Sequence, residues 1–453
     1  MNETLLRALA AGSTVAAYGA MCLAIYTRER RAVAATARAA QALAGDGTVP
    51  PTLVLFASQT GQAEAIAWQT ARRLRAAGTP VRVMELNALD AATLRDARQA
   101  LFVASTYGEG DAPDGASLFA EKAMAEQTDL SALRYAVLAL GDRQYANFCG
   151  FGRQLDDWLQ GQGATPSFAR VEVDNGDPEA LATWHARWGD AEVAHDEEES
   201  RAFAPWRLAH RNLLNPGSAG APVFLLGLVP QAGAMPAWDS GDLVQMAVAS
   251  DPSRPRDYSI ASLPADGELQ LLVRQEQHPD GTLGMASGHL TSTLAIGDTV
   301  ALRLRAQRGF RLEGNASRPL ILIGNGTGLA GLRAHLRARI AAGRHENWLV
   351  FGERHAAHDF LCRDEIEGWQ REGALSELDM VFSRDQAERL YVQHRLLQRA
   401  DALREWLARG AAVYVCGSLQ GMAAGVDAAL RQVAGEALWA ELVGSGRYRR
   451  DVY

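Results

Sequence analysis

The chain is poor in cysteine and pairs none of it. Cys22, Cys149, Cys362 and Cys416 are the four thiols of 453 residues, far apart and without a CxxC pair. That spacing excludes a zinc knuckle and a disulfide framework and points to a reducing compartment. Excess positive charge is also missing: 45 Lys and Arg stand against 53 Asp and Glu, a net charge of -8. No sequence-wide basic field exists to hold a nucleic acid backbone. No period of 20–50 residues recurs, so a solenoid or propeller is excluded. One uncharged run near the start stands out for the arginines that follow it. Residues 8–26 carry no charge over 19 positions and are followed at once by Thr27-Arg28-Glu29-Arg30-Arg31. At 1.5 Å per residue such a helix spans about 29 Å, close to a hydrocarbon core, and the arginines behind it act as a stop-transfer signal. The expectation is a single-pass N-terminal membrane helix with the folded domains on the cytoplasmic side.

What remains is ordinary for a folded protein, 48% hydrophobic and 22% charged, and the length suits about three domains. Residues 1–50 read as anchor and linker, closed by the helix-breaking GDGTVPP. From 52 onwards, short apolar runs at 52–58, 81–86, 101–106, 135–141 and 169–173 alternate with helical stretches. That is the pattern of a doubly wound parallel sheet of flavodoxin size, over 51–190. An acidic run, Asp196-Glu197-Glu198-Glu199, marks a hinge at 191–202. Between 203 and 317 the helical period fades. Runs at 223–228, 243–249, 269–273 and 299–304 sit among Pro, Gly and Asp turns, as in an antiparallel barrel. From 318 to 453 the β-α alternation returns, with strands expected at 319–324, 348–352, 379–383 and 412–416.

Three loops in the first α/β unit fall at strand C-terminal ends, where open α/β sheets bind ligands. Ser58-Gln59-Thr60-Gly61 joins a strand to a helix and makes an anion cradle. Ser105-Thr106-Tyr107-Gly108-Glu109-Gly110 and Leu140-Gly141-Asp142-Arg143-Gln144-Tyr145 each offer an aromatic ring beside glycine. Two tyrosines on adjacent loops can sandwich a planar heterocycle whose phosphate rests on the first loop. Taken singly, each loop is also explained by capping or packing.

Together the segments SQTGQAE, STYGEGDAPDGA and LGDRQYANFCGFG resemble the three FMN loops of the diflavin reductases. The resemblance implies phosphate contacts from Ser58, Gln59, Thr60 and Gly61. It implies that Tyr107 and Tyr145 flank the ring, that Ser105, Thr106, Gly108, Gly110, Leu140, Gly141 and Phe148 also bind the cofactor, and that Asp156 sits near the ring. The YxxFC context of Cys149 is similar to that of sulfite reductase flavoproteins. Further on, Arg256-Asp257-Tyr258-Ser259 resembles the RxYS motif that binds FAD, with Gly284, Ala286 and Ser287 as its partner loop, both within barrel turns. The helical insertion of larger diflavin reductases has no room here. In the last unit Gly324-Asn325-Gly326-Thr327-Gly328 opens a helix after a strand and lets backbone approach a pyrophosphate. Ser383, Arg384, Arg389, Tyr391 and Gln393 resemble the clamp for the 2′-phosphate of NADPH, with Arg389 where many relatives have lysine. Cys416 lies in YVCGS, where relatives usually have YVCGD. Asp451 and Tyr453 match the acidic residue of the hydride path and the aromatic that covers the flavin.

The resemblance implies electron flow from NADPH to FAD to FMN to an external haem or iron protein, with Ser259, Cys416, Asp451 and Tyr453 around the hydride transfer. The expectation is an NADPH–haemoprotein reductase tethered to a membrane. Its alternatives are the flavoprotein component of a sulfite reductase, a ferric-chelate reductase, and a flavin-free docking module.

Overall fold

The computed structural model describes residues 50–58, 61–143, 145–189, 202–248 and 251–453. The apolar stretch 8–26 and the acidic run 196–199, on which the expected anchor and hinge rest, lie outside the described residues, as do Gln59, Thr60 and Gln144. Among the described residues no helix is long and apolar enough to cross a membrane.

The first sheet contains β1 (Thr52–Ala57), β2 (Val81–Glu85), β3 (Gln99–Ser105), β4 (Arg134–Gly141), β5 (Thr165–Pro166) and β6 (Val171–Asp174). All its pairings are parallel, in the order β2-β1-β3-β4-β5, with β6 also on β4. Alternate side chains of a strand face opposite sides. Leu53 and Leu55 accordingly join Phe151, Leu155 and Leu159 on one face, while Val54 joins Ile66, Ala67, Leu74 and Trp184 on the other. A strand covered on both faces needs an unbroken apolar run, and TLVLFA supplies it.

The second sheet is antiparallel. It contains β7 (Ala204–Leu213), β8 (Val223–Pro230), β9 (Leu243–Val248), β10 (Asp251–Ser259), β11 (Leu269–Arg274) and β12 (Thr299–Arg305), in the order β10-β9-β12-β7-β8-β11. Its two ends meet where Ile260, one residue past β10, bridges Leu271 of β11 and Ala261 N–H donates to Gln270 O at 2.8 Å. The sheet thus closes on a core of Trp206, Leu208, Leu226, Val244, Met246, Leu271 and Leu302. Arg256, Tyr258 and Ser259 lie on strand β10 and not in a turn, which corrects the sequence expectation. Its sequence, DPSRPRDYS, hides a strand because proline cannot donate to a ladder. The pairing with β9 accommodates this by shifting register between Asp251 and Arg256.

The third sheet holds β13 (Leu320–Asn325), β14 (Asn347–Glu353), β15 (Glu377–Phe382), β16 (Ala412–Gly417) and β17 (Tyr448–Val452). It is parallel throughout, in the order β15-β14-β13-β16-β17. Barrel and third unit share a core: Val223, Ala261 and Leu272 cluster with Phe310, Leu320 and Leu329. The first unit meets the third through charge. Arg450 Nε donates to Asp114 at 2.7 Å and Arg431 Nη2 to Glu121 at 2.7 Å. Tyr107 is buried in the apolar cluster of the third unit, where Leu419 also packs.

Candidate functional site

At the C-terminal edge of the first sheet three hydroxyls are buried without a partner: Ser58 Oγ after β1, and Thr106 Oγ1 and Tyr107 Oη after β3. Leaving each so costs about 1–3 kcal/mol; Ser58 and Thr106, after the neighbouring strands β1 and β3, can return it to a phosphorylated ligand, whereas Tyr107 packs in the cluster of the third unit. Gly61, at φ 84°, starts the helix Gln62–Ala76, which has no side-chain cap. Its first N–H groups therefore remain for an anion. Ser105 ends β3. Gly108 and Gly110, at φ 52° and 122°, fold the following loop back so that Tyr107 and Asp111 exchange backbone hydrogen bonds of 2.9 and 2.8 Å. Gly141 passes so close to the third loop that a Cβ there would lie 2.7 Å from Cys149 N. These residues fit a phosphorylated flat ring. Tyr145 is 44% exposed, whereas Tyr107 is buried with the Arg450 guanidinium 5.4 Å from its ring centroid. Leu140 and Phe148 are buried, and Arg143 lies over the Phe148 ring at 4.5 Å.

Asp156 is not near the ring. It accepts from Tyr135 Oη at 2.6 Å and Arg170 Nη1 at 2.5 Å. Tyr135 sits at the start of β4 and the loop at its end, about 20 Å away at 3.3 Å per residue. The helix Gly150–Gly161 runs back along the sheet and carries Asp156 to the opposite edge. Cys149 donates to Ala139 O at 3.3 Å, and burial pushes its thiol up to about 12, so it is a packed thiol, not a thiolate.

On the barrel, Arg256 Nη1 donates to Arg254 O at 2.6 Å. Tyr258 packs against the same cluster that holds Ala286, so β10 and the short helix Met285–Gly288 are brought together. Burial raises the Tyr258 phenol and keeps it a donor. Gly284 has no space for a side chain, since a Cβ would lie 2.7 Å from Ser287 Oγ. Ser287 Oγ accepts from Glu276 N–H at 3.1 Å, leaving its own hydrogen to donate.

In the third unit the glycines of GNGTG answer to Cys416. A Cβ on Gly324 or Gly328 would lie 2.4 or 2.2 Å from the Cys416 carbonyl oxygen. Gly326 takes φ 57° and lies under Arg274, which reaches over from the barrel to Glu353 at 3.1 Å. Arg274 carries no motif and was not legible in the sequence. Ser383 is buried and donates twice to Glu353 O. Arg384 and Arg389 are exposed beyond it, Tyr391 is 41% exposed, and the Gln393 side-chain oxygen is buried without a donor.

The expected hydride residues converge where barrel and third unit meet. Asp451 Oδ2 accepts from Ser259 Oγ at 2.7 Å and from Cys416 Sγ at 3.7 Å, and Oδ1 accepts from Gln307 Nε2 at 3.0 Å. Burial pushes the Asp451 carboxyl above the usual range, against these three hydrogen bonds. Burial also drives the Cys416 thiol well up, so it stays protonated and donates. Gln307, itself buried, belongs to this group and has no motif around it. Tyr453 extends β17: its N–H donates to Gly417 O and its carbonyl accepts from Leu419 N–H, both at 3.0 Å. Its hydroxyl donates to Thr327 Oγ1 at 3.2 Å, so its half-exposed side chain reaches the GNGTG loop.

A barrel packed on a parallel nucleotide-type sheet, joined to a flavodoxin-like unit with an empty-handed hydroxyl cradle, defines a flavin- and nicotinamide-dependent oxidoreductase. The family model "Flavodoxin" matches residues 54–188, and "Oxidoreductase NAD-binding domain" matches 322–428. The chain is similar to the sulfite reductase [NADPH] flavoprotein alpha-component of Neisseria meningitidis, at 28% identity over 88% of this chain and 89% of the relative. The proteins of the same description from Mannheimia succiniciproducens and Shewanella sp. strain ANA-3 are 29% and 28% identical over the same shares. Over that span the chain is similar to diflavin reductases, and its cofactors are FMN, FAD and NADPH. The Neisseria alignment covers 549 positions, more than the 453 residues present here. The relatives therefore carry a stretch this chain lacks. The expected membrane anchoring does not stand. The chain's likeness is to sulfite reductase flavoproteins, and no described helix is long and apolar enough to cross a membrane.

Proposed function

We propose that the protein is the flavoprotein component of a sulfite-reductase-type system, taking hydride from NADPH and delivering electrons to a haem- or iron-bearing partner protein. The observation that carries this reading is one strand, β17. Asp451 gathers Ser259, Gln307 and Cys416 on one side of it, while Arg450 holds Asp114 beside the Tyr107 loop on the other. Entry and exit of electrons thus meet at adjacent residues. The likeness to sulfite reductase flavoproteins over 88% of the chain supports that partner over other haem proteins or a ferric chelate, which have no residue of their own in their favour.

Residues 51–190 form the FMN unit, 203–317 the FAD unit and 318–453 the NADPH unit. Bound NADPH and the two flavins supply hydride donation, hydride acceptance and release of electrons one at a time. The chain's residues bind and orient. Ser58, Gln59, Thr60 and the helix behind Gly61 hold the FMN phosphate, with Thr106, Tyr107, Gly141 and Tyr145 around the ring. Arg256 and Ser287 hold the FAD pyrophosphate and Tyr258 lies against the flavin. Ser383, Arg384, Arg389, Tyr391 and Gln393 take the 2′-phosphate, where two guanidiniums favour NADPH over NADH. Ser259 and Cys416 keep their hydrogens and orient Asp451, whose carboxylate stabilises positive charge arising on the nicotinamide. Tyr453 moves aside to admit that ring.

The test is purified protein whose FMN and FAD are released by acid and counted, then supplied with NADPH and a sulfite reductase haem subunit from a relative. One FMN and one FAD per chain, with sulfite consumed, is the expected result. Cytochrome c reduction without sulfite consumption would reject the partner, and colourless protein would reject the whole reading.

A further inference from the structure

At the N-terminal edge of the first sheet lies a cavity of about 440 Å³, lined by Arg98, Gln99, Arg134, Ser167, Phe168, Arg187 and Trp188. Arg98 precedes β3 and Arg134 begins β4, whereas the flavin loops follow the other ends of these strands. At 3.3 Å per residue that separates them by about 20 Å, so this is not the FMN cradle. We propose that the cavity is a second ligand site, taking a small anion that carries a flat ring, of the nucleoside monophosphate class.

Charge is the first reason. Three guanidiniums line one small cavity, and among the described residues none of them is paired with a carboxylate. Two other arginines of the same unit are matched, Arg153 by Glu172 at 2.9 Å and Arg170 by Asp156 at 2.5 Å, but they do not share one cavity. Like charges gathered without a counter-charge repel, and guanidiniums match the planar geometry of a phosphate.

The second reason is independent of charge. Trp188 lines the cavity, is only 8% exposed, and its indole Nε1 is buried without an acceptor. Its neighbour Trp184, packed at 5.3 Å, shows the ordinary outcome by donating to Thr70 Oγ1 at 2.9 Å. An unmet buried donor beside three unmatched cations asks for an acceptor-rich ligand. The aromatic wall decides between a bare oxyanion and a ring-bearing one. Phe168 and Trp188 pack at 5.6 Å, with Arg187 over Phe168 at 5.1 Å. Their planes are tilted by 46°, so they offer apolar ring edges beside the guanidiniums, which phosphate alone would not use. The volume falls within the range of small-molecule sites.

The test uses the full-length, flavin-loaded protein saturated with NADP+, so that the nicotinamide site is filled. It is titrated by calorimetry with AMP, with inorganic phosphate and with adenosine. AMP should bind once per chain, and more tightly than either fragment. Arg134→Ala and Arg187→Ala should each weaken AMP at least tenfold, and Trp188→Phe should weaken it several-fold, with flavin content and circular dichroism unchanged. Absence of AMP binding at millimolar concentration overturns the proposal. So does binding indifferent to the two arginine variants, or phosphate binding as tightly as AMP, which would mark a plain anion patch.

Discussion

Replacing Asp114 by asparagine removes one charge from the seam between the flavodoxin-like unit and the rest of the protein while leaving β17 intact. The Arg450 side chain is 11% exposed and that of Asp114 23%, with Nε donating at 2.7 Å. The same guanidinium donates to Asp427 at 2.5 Å and lies 5.4 Å from the Tyr107 ring centroid. A charge-assisted hydrogen bond contributes about 1.5–3 kcal/mol. Asp114 regains water when the units separate, which offsets part of the loss, and Arg450 keeps Asp427. A net loss of about 2 kcal/mol in docking follows, or roughly a 30-fold shift toward separated units. Small-angle scattering should then report a larger radius of gyration, and amides of the Tyr107–Asp111 loop should exchange faster. Added salt should move the wild type in the same direction. The partner variant Arg450→Gln should produce a similar shift, and the double variant little more than either. Unchanged scattering in both single variants, or strictly additive effects, would refute the idea that this pair holds the units together.

Gly328→Ala places a Cβ 2.2 Å from the Cys416 carbonyl; thermal unfolding should fall by several degrees and KM for NADPH should rise, because backbone has no slack there. Arg389→Ala should raise KM for NADPH by about 10- to 100-fold and leave that for NADH nearly unchanged, the loss expected of a phosphate contact. The raised carboxyl of Asp451 binds a proton more tightly folded than unfolded. Its burial therefore costs nothing below the unfolded carboxyl range, and stability is lost as pH rises through the folded value. The rate of hydride transfer should run the other way, falling as acid protonates Asp451, and Asp451→Asn should show a lower rate without that acidic limb. Tyr453→Ala loses the contact with Thr327 at 3.2 Å; NADH should gain on NADPH as a substrate in steady-state kinetics.

Strands buried on both faces were the easiest part of this fold to read. TLVLFA and LILIGN announce themselves because neither side of the sheet meets water. β10 and β17 escaped for opposite reasons of chemistry: DPSRPRDYS is broken by prolines, and YRRDV is charged at three of five positions. In β17 those charges are matched by Asp114, Asp427, Glu313 and the hydrogen bonds to Asp451, partners that only tertiary structure supplies. The tight turns at Gly61, Gly108, Gly110 and Gly326 and the close approaches at Gly141, Gly324 and Gly328 were legible because such backbone demands glycine. Asp156 was misplaced because spacing along a helix says nothing of its direction. Gln307 and Arg274 reach their sites from loop and barrel without any local pattern to reveal them.

The alternation along β17 has a consequence for how this enzyme can change. Arg450 and Asp451 point to opposite sides because a strand reverses with each residue. Inserting or deleting one residue ahead of Arg450 would turn both side chains over, taking the carboxylate from Ser259, Gln307 and Cys416 and the Arg450 guanidinium from Asp114 at once. The carboxylate cluster and the seam to the flavodoxin-like unit are therefore bound into a single mutational unit, and any lineage or engineer seeking to retune one must keep the phase of the other.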